Sequence, residues 1–163
     1  MREFIGFSIS GANADKLAET LQFIGQDMKL KSGRFALRKA AQVIADRVRE
    51  NALRVDNPMT PEKIHLNVDA RWNGRRYRAS GELAFRIGIM GGAGGNRSAT
   101  ELAANPGGDT RHWRYVEFGT RKTRANPFFR QALQESANAA TKTFIDNYQK
   151  SIDRAIKRTG DVL

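Results

Sequence analysis

The stretch "IHLNVDARWNGRRYRASGELAFRIGI", residues 64–89, decides how the chain is read as a fold. Ile64, Leu66, Val68, Ala70 and Trp72 alternate without a break against His65, Asn67, Asp69 and Arg71. That two-residue period belongs to a half-buried strand. Asn73-Gly74 follows, the strongest short signal for a type I′ turn, because both positions must tolerate positive φ. With those two residues as the loop, position 72 faces 75, 70 faces 77, 66 faces 81 and 64 faces 83. Tyr77, Ala79 and Leu83 then oppose the apolar face, and Phe85, Ile87 and Ile89 keep its parity. On the polar face His65 meets Glu82 and Asp69 meets Arg78, matches that a one-residue slip would spoil. The expectation is one long β-hairpin whose arms run nine residues to the turn, about 30 Å at roughly 3.4 Å per residue. Its tip gathers Arg71, Arg75, Arg76 and Arg78 beside Trp72 and Tyr77. Arg71 would sit across from Arg76, a like-charge pair that costs stability unless an anion is near. The tip is therefore expected to project and touch an anionic partner, the alternative being a solvated basic turn.

Outward from the hairpin, residues 3–10 alternate Phe4, Gly6 and Ser8 against Ile5, Phe7 and Ile9, which suits another strand. Asn13 can cap a first helix over about 14–30, with Leu17, Leu21, Ile24 and Met28 at helical spacing and Lys31-Ser32-Gly33 ending it. A second helix starts near Arg34, with Leu37, Ala41, Ile44 and Val48 on one side, and "DNPMTP" closes that half. Residues 91–110 hold six glycines and little periodicity, and are expected to form a flexible loop that orders on contact. Asn126-Pro127 reads as N-cap and first helical residue of a long terminal helix over about 127–157. Phe129, Leu133, Ala137, Ala140, Phe144, Tyr148, Ile152 and Ala155 form its apolar stripe. The fold expected is α+β: two N-terminal helices, a small antiparallel sheet with one long hairpin, and a long C-terminal helix packed on the sheet. The 163 residues suit a single domain.

The net charge of +11 narrows the partners. Between Arg71 and Arg124 eleven Lys/Arg stand against four acids, a bias toward nucleic acid, an acidic protein surface or a membrane face. The chain has no cysteine, so disulfides and thiolate metal sites are ruled out. No apolar run approaches the roughly 20 residues of a membrane span, and the N-terminus lacks the apolar core of a signal peptide. A cytosolic setting without membrane attachment is expected.

Catalytic chemistry is not expected either. The histidines are His65, read as paired with Glu82, and His112 beside Trp113. Neither belongs to a metal-ligand spacing. The glycine-rich stretch lacks a following Gly-Lys-Ser/Thr, and Arg97 stands where a third nucleotide-binding glycine belongs. No Gly-x-Ser-x-Gly occurs, and Asp109, Glu117 and Lys122 form no more than a chance acid/acid/lysine set. No enzyme, cofactor or metal follows from these residues.

"YVEFGTRKTRANPFFRQAL", residues 115–133, brings the remaining signal. Tyr115, Glu117, Phe118, Gly119 and Thr120, followed by Pro127, Phe128, Phe129 and Ala132, resemble the gene-10-type tail-component family of long-tailed, siphovirus-type bacteriophages. "GELAFRIGIMGGA", residues 81–93, is similar to the strand before the glycine-rich insert in that family. The physics of the motif is structural: Gly119 ends one element, Glu117 needs a partner such as Thr120 or an arginine, and Phe118 and Phe128 are expected to pack the loop on the core.

The resemblance implies a structural virion protein of the neck and tail, assembled in the host cytoplasm. It would form a six-fold ring that completes the tail and helps join it to the DNA-filled head. Its partners would be its own copies, the head connector, the tail-tube or tail-terminator proteins and, non-specifically, genomic DNA in the lumen. Arg71, Arg75, Arg76, Arg78, Arg121, Lys122 and Arg124 are the candidate contacts for DNA or an acidic neighbour. The competing reading is a sequence-nonspecific basic DNA-binding protein.

Overall fold

The computed structural model describes residues 26–91 and 97–160. The strand read at 3–10, the Asn13 cap and the helix residues before 26 lie outside them. Helix α1 spans Gln26–Val55. It runs straight through Lys31, Ser32 and Gly33, where the sequence predicts a break, so the described part of the two expected N-terminal helices is one. A glycine inside a helix costs about 1 kcal/mol relative to alanine, and here its bare face is used in packing. A Cβ on Gly33 would stand 2.9 Å from Leu83 Cδ1. Ser32 beside it is buried, and its Oγ accepts from Ser151 Oγ–H at 3.0 Å. Tertiary contact on small side chains overrides the local stop.

After α1 the buried side chain of Asp56 gathers the turn. Its carboxylate accepts the backbone N–H of Ile64 at 2.7 Å and of His65 at 3.1 Å, and lies 2.6 Å from His65 Nδ1. A 3-10 turn over His65–Asn67 leads into β1, Val68–Trp72. Helix α2, Gly74–Ser80, comes next, and then β2, Phe85–Ile89. The strands pair antiparallel in the register Val68↔Ile89, Ala70↔Ile87 and Trp72↔Phe85. The predicted two-residue hairpin is thus corrected: Asn73 has φ −94° and caps α2 by accepting the N–H of Arg76. Gly81, at φ 72°, closes the helix with its N–H on Tyr77 O.

Two features explain the outcome. The α2 sequence GRRYRAS contains no β-branched residue to favour a strand. Trp72 is also held at the junction, 5.6 Å from the Tyr77 ring and 5.5 Å from that of Phe85, with the Arg34 guanidinium 4.4 Å over it. The return strand is displaced by ten residues, an even number, so Phe85, Ile87 and Ile89 still share a face with Val68, Ala70 and Trp72. The polar pairs do change. Arg71 faces Arg86, not Arg76. His65 meets Asp56 instead of Glu82, Asp69 meets Arg71 at 2.6 Å, and Arg76 meets Glu82 at 2.5 Å.

Within the glycine-rich stretch, residues 97–110 carry the short helix α3, Ala99–Ala103, under a reciprocal Ser98–Glu101 capping box. Its Leu102 is buried. Fully buried Asn67 then anchors the chain after α3: its Oδ1 accepts Gly107 N–H at 2.8 Å, and its Nδ2 donates to Gly108 O and Thr110 Oγ1 at 2.9 and 2.7 Å. Gly107 passes so close to Lys63 O that a Cβ there would overlap it.

Helix α4, Trp113–Phe118, precedes α5, Phe128–Gly160. The 30 and 33 residues of α1 and α5 make rods of about 45 and 50 Å at 1.5 Å per residue. They lie antiparallel, Ser32 against Ser151 at one end and Asn51 Nδ2 3.4 Å from Phe128 O at the other. α5 therefore packs along α1 rather than on the sheet, and only its first turns join the sheet's core. That core unites Ala45, Val48 and Ala52 of α1 with Ile64, Val68, Ile89, Phe128 and Ala132. The reason is the small side chains buried along both rods: Ala36, Ala40 and Ala52 on one, Ala132, Ser136 and Ala140 on the other. They let two backbones approach closely. In the first half of α5 the buried line is Phe128–Ala132–Ser136–Ala140, one position earlier than the predicted Phe129–Leu133–Ala137. Beyond Ala140 the predicted stripe holds, with Phe144, Tyr148 and Ile152 forming a second small core with Ala36.

Candidate assembly surface at the α4–α5 joint

The joint between α4 and α5 is built on one buried carboxylate. Glu117 is 1% exposed, and its Oε2 accepts the N–H of Phe129 at 2.8 Å. Its Oε1 accepts from Arg130 N–H and Nε–H at 3.1 and 2.9 Å. A helix leaves its first N–H groups without intrahelical partners, and a carboxylate there also meets the positive end of the helix dipole. Glu117 thus caps α5 from another helix, the task expected of Asn126. Of its two expected partners the arginine is present and Thr120 is not. Thr120 Oγ instead accepts the N–H of Lys122 and Thr123, turning the loop back on itself.

Gly119 makes that turn possible. It has φ 73°, and a Cβ on it would stand 2.7 Å from Ala125 N and 2.9 Å from Thr123 O. Asn126 N–H then donates to Val116 O at 2.7 Å, and Pro127 O accepts from Gln131 N–H. Every residue from Thr120 to Pro127 is exposed, so the joint presents Arg121, Lys122 and Arg124 outward on a backbone pinned at both ends. Phe128 is buried as expected, but Phe118 is 55% exposed. Its ring lies 6.5 Å from Trp113 and 5.2 Å from the Arg130 guanidinium. The correction follows from helix geometry: α4 turns Glu117 inward, which points its neighbour Phe118 outward.

Leu53, Met59, Leu66, Tyr115 and Phe118 are large apolar side chains left exposed. All belong to elements at the end of the helix pair where α1 finishes and α5 begins. No local signal in the sequence marks Leu53 or Met59 as exposed. The strand pattern places Leu66 on a buried face, whereas β1 starts only at Val68.

The second basic group lies elsewhere. β1 runs from Val68, whose carbonyl accepts from Arg49 Nη2 at 2.9 Å, to Trp72 beside Arg34. The α2 arginines therefore stand toward the other end of α1, about 22 Å along it at 1.5 Å per residue. Arg71, Arg75, Arg76 and Arg78 are exposed there and gain Arg86 beside them on the outer face of the sheet. Among the described residues no acid lies within ion-pair distance of Arg75, Arg78, Arg86, Arg121, Lys122 or Arg124. The structure does not bring the seven candidate cations into one site; it divides them between two.

The described residues contain no group of three or more acids and histidines placed to hold a metal, and no helix among them is long and apolar enough to cross a membrane. Residues 15–119 match the family model described as "Bacteriophage HK97-gp10, putative tail-component". The chain belongs to the HK97-gp10-like family. The match takes in α1, the sheet, the Asn67 anchor and Glu117, and stops at Gly119. The PFF segment and α5 therefore extend beyond the part the family model covers. Membership of the HK97-gp10-like family makes this a structural component of a phage tail, part of a virion among other tail proteins. No curated protein and no solved structure matches the chain.

Proposed function

We propose that the protein is a ring-forming subunit at the head-proximal end of the tail, which completes the tail and helps join it to the DNA-filled head. The observation that carries this reading is the α4–α5 end. It holds exposed apolar side chains and an exposed basic loop on a joint fixed by Glu117, in a chain from a tail-component family. Exposed apolar groups rimmed by charge suit a partner surface. The ring is a homo-oligomer, six-fold by the sequence resemblance, set between the connector and the tail-tube or terminator proteins. The α2 arginines and Arg86 face DNA in the lumen or an acidic patch on the next ring, through salt-sensitive contacts that read no sequence.

The same arginines also favour a second reading, a basic protein that binds DNA without sequence preference and takes no part in the particle. Electron microscopy of lysates from a phage with an early stop codon in this gene separates the two. Filled heads without tails, beside free or overlong tubes, support the joining role. Normal infectious particles would overturn it in favour of the DNA binder.

A further inference from the structure

The first half of α1 carries a row of cations that the α4–α5 surface does not use. Lys31, Arg34 and Arg38 are exposed, and steps of three and four residues put them on one stripe of the helix. From Lys31 to Ala45 the helix has no acid. The next two, Asp46 and Glu50, are already paired with Arg49 and Arg47. Among the described residues no acid lies within ion-pair distance of Lys31, Arg34 or Arg38.

Arg34 ties this stripe to the α2 arginines, because its guanidinium lies 4.4 Å over the Trp72 ring. Tyr77 and Phe85 hold the indole from two further sides. Its Nε1–H meets no acceptor among the described residues and, unlike that of Trp113, is not a buried atom. Gly74 keeps that edge open. Its φ is not positive, so the backbone does not ask for glycine. A Cβ there would stand 3.2 Å from Trp72 Nε1 and 3.5 Å from Arg78 Nη1. The bare glycine leaves a notch on which an indole N–H and a guanidinium converge.

We infer that this surface is a track for the phosphates of duplex DNA. Lys31, Arg34 and Arg38 follow one strand, Arg75 and Arg78 flank it, and Trp72 Nε1–H donates to a phosphate oxygen at the Gly74 notch. The inference rests on the reading above in which DNA passes the ring, and it decides between the two targets given there for the α2 arginines. From Lys31 to Arg38 is about 10 Å at 1.5 Å per residue, the axial length of about three phosphates of one strand at roughly 3.4 Å each. Composition selects DNA over an acidic protein. The exposed large apolar side chains, Leu53, Met59, Leu66, Tyr115 and Phe118, all belong to the opposite end of the helix pair. A protein partner covers an apolar centre, whereas DNA suits a polar, positive surface with neutral donors among the cations.

The chain has two tryptophans, which makes the test direct. Indole N–H signals of the full-length protein are followed by 1H–15N NMR as a short mixed-sequence duplex or poly-L-glutamate is added, with Trp72→Phe or Trp113→Phe giving the assignment. The Trp72 signal is expected to move with DNA and not with poly-L-glutamate, while that of Trp113, whose Nε1 is buried, stays throughout. Anisotropy of a labelled duplex then separates the donors. Arg34→Gln and Arg78→Gln should each reduce the slope of log K against log salt by about 0.9. Trp72→Phe keeps a ring beneath Arg34 and should weaken binding about tenfold with the slope unchanged, since a neutral donor displaces no counterion. An equal Trp72 shift with poly-L-glutamate overturns DNA as the occupant in favour of an acidic protein. A stationary Trp72 signal while DNA binds overturns the track and leaves DNA on other arginines. Absence of DNA binding sinks the track and the lumenal contact together, without touching the joining role that the stop-codon phage tests.

Discussion

Glu117 shows how one side chain can set the direction of a 33-residue helix. Removing it leaves the buried N–H groups of Phe129 and Arg130 without acceptors, and each such loss costs about 1–3 kcal/mol. Glu117→Ala is expected to lower unfolding free energy by about 2–4 kcal/mol, and Glu117→Gln by less, since one acceptor oxygen remains. Arg130→Ala should cost less again, because Arg130 is half-exposed and its partner keeps two backbone donors. Urea denaturation of the three variants checks the order; equal stability for Glu117→Ala and the parent would refute the capping role. Gly119→Ala should lose more than about 1–3 kcal/mol, as positive φ and a backbone collision act together.

At the scale of elements, the α1–α5 seam depends on side chains that stay small. Ala140 is fully buried, so Ala140→Leu must push the rods apart, at a cost of about 1–3 kcal/mol, read as a lower melting temperature. Glu135 joins the same two helices. Its carboxyl is held below the ordinary 4.5 by the Asn51 side-chain hydrogen bond first and that of Gln131 second, with Arg47 and Arg54 adding charge. A lowered folded-state pKa means that the stabilisation is complete above pH 4.5 and fades as pH falls through the folded value. The stability gap between the parent and Glu135→Gln is expected to narrow on acidification across that window. A gap unchanged from pH 7 to pH 3 would remove the carboxylate from the account. The insertion of α2 makes its own prediction. Asn73→Ala loses a helix cap, about 1 kcal/mol, while Asn73→Asp keeps it.

For the whole molecule, the division of cations between two ends makes them separable by mutation. Arg121, Lys122 and Arg124 are exposed and have no ion-pair partner among the described residues, so reversing all three to glutamate should change unfolding free energy by little, within about 0.5 kcal/mol per site. Incorporation into tails is expected to fail in that variant while the purified subunit melts normally. Reversal of Arg75 and Arg78 should instead weaken DNA retention and flatten its salt dependence. Loss of both functions from either set would argue for one continuous surface.

Sequence alone determined the parts that depend on local period and composition. The helical repeat of the two rods, the parity of Val68, Ala70 and Trp72 with Phe85, Ile87 and Ile89, the acid within the YVEFGT motif, and the tail-component family could all be read from it. Tertiary structure decided what local signals leave open. Asn73-Gly74 suits a hairpin turn and a helix cap equally well, and the packing of Trp72 with Phe85, Tyr77 and Arg34 chose the cap. Gly33 suits a helix end and a close contact, and Leu83 chose the contact. Glu117 needed a partner, but only the fold could bring the start of α5 to it, eleven residues further along the chain. A local pattern limits backbone conformation over a few residues; which of the permitted forms survives depends on contacts between residues far apart in sequence.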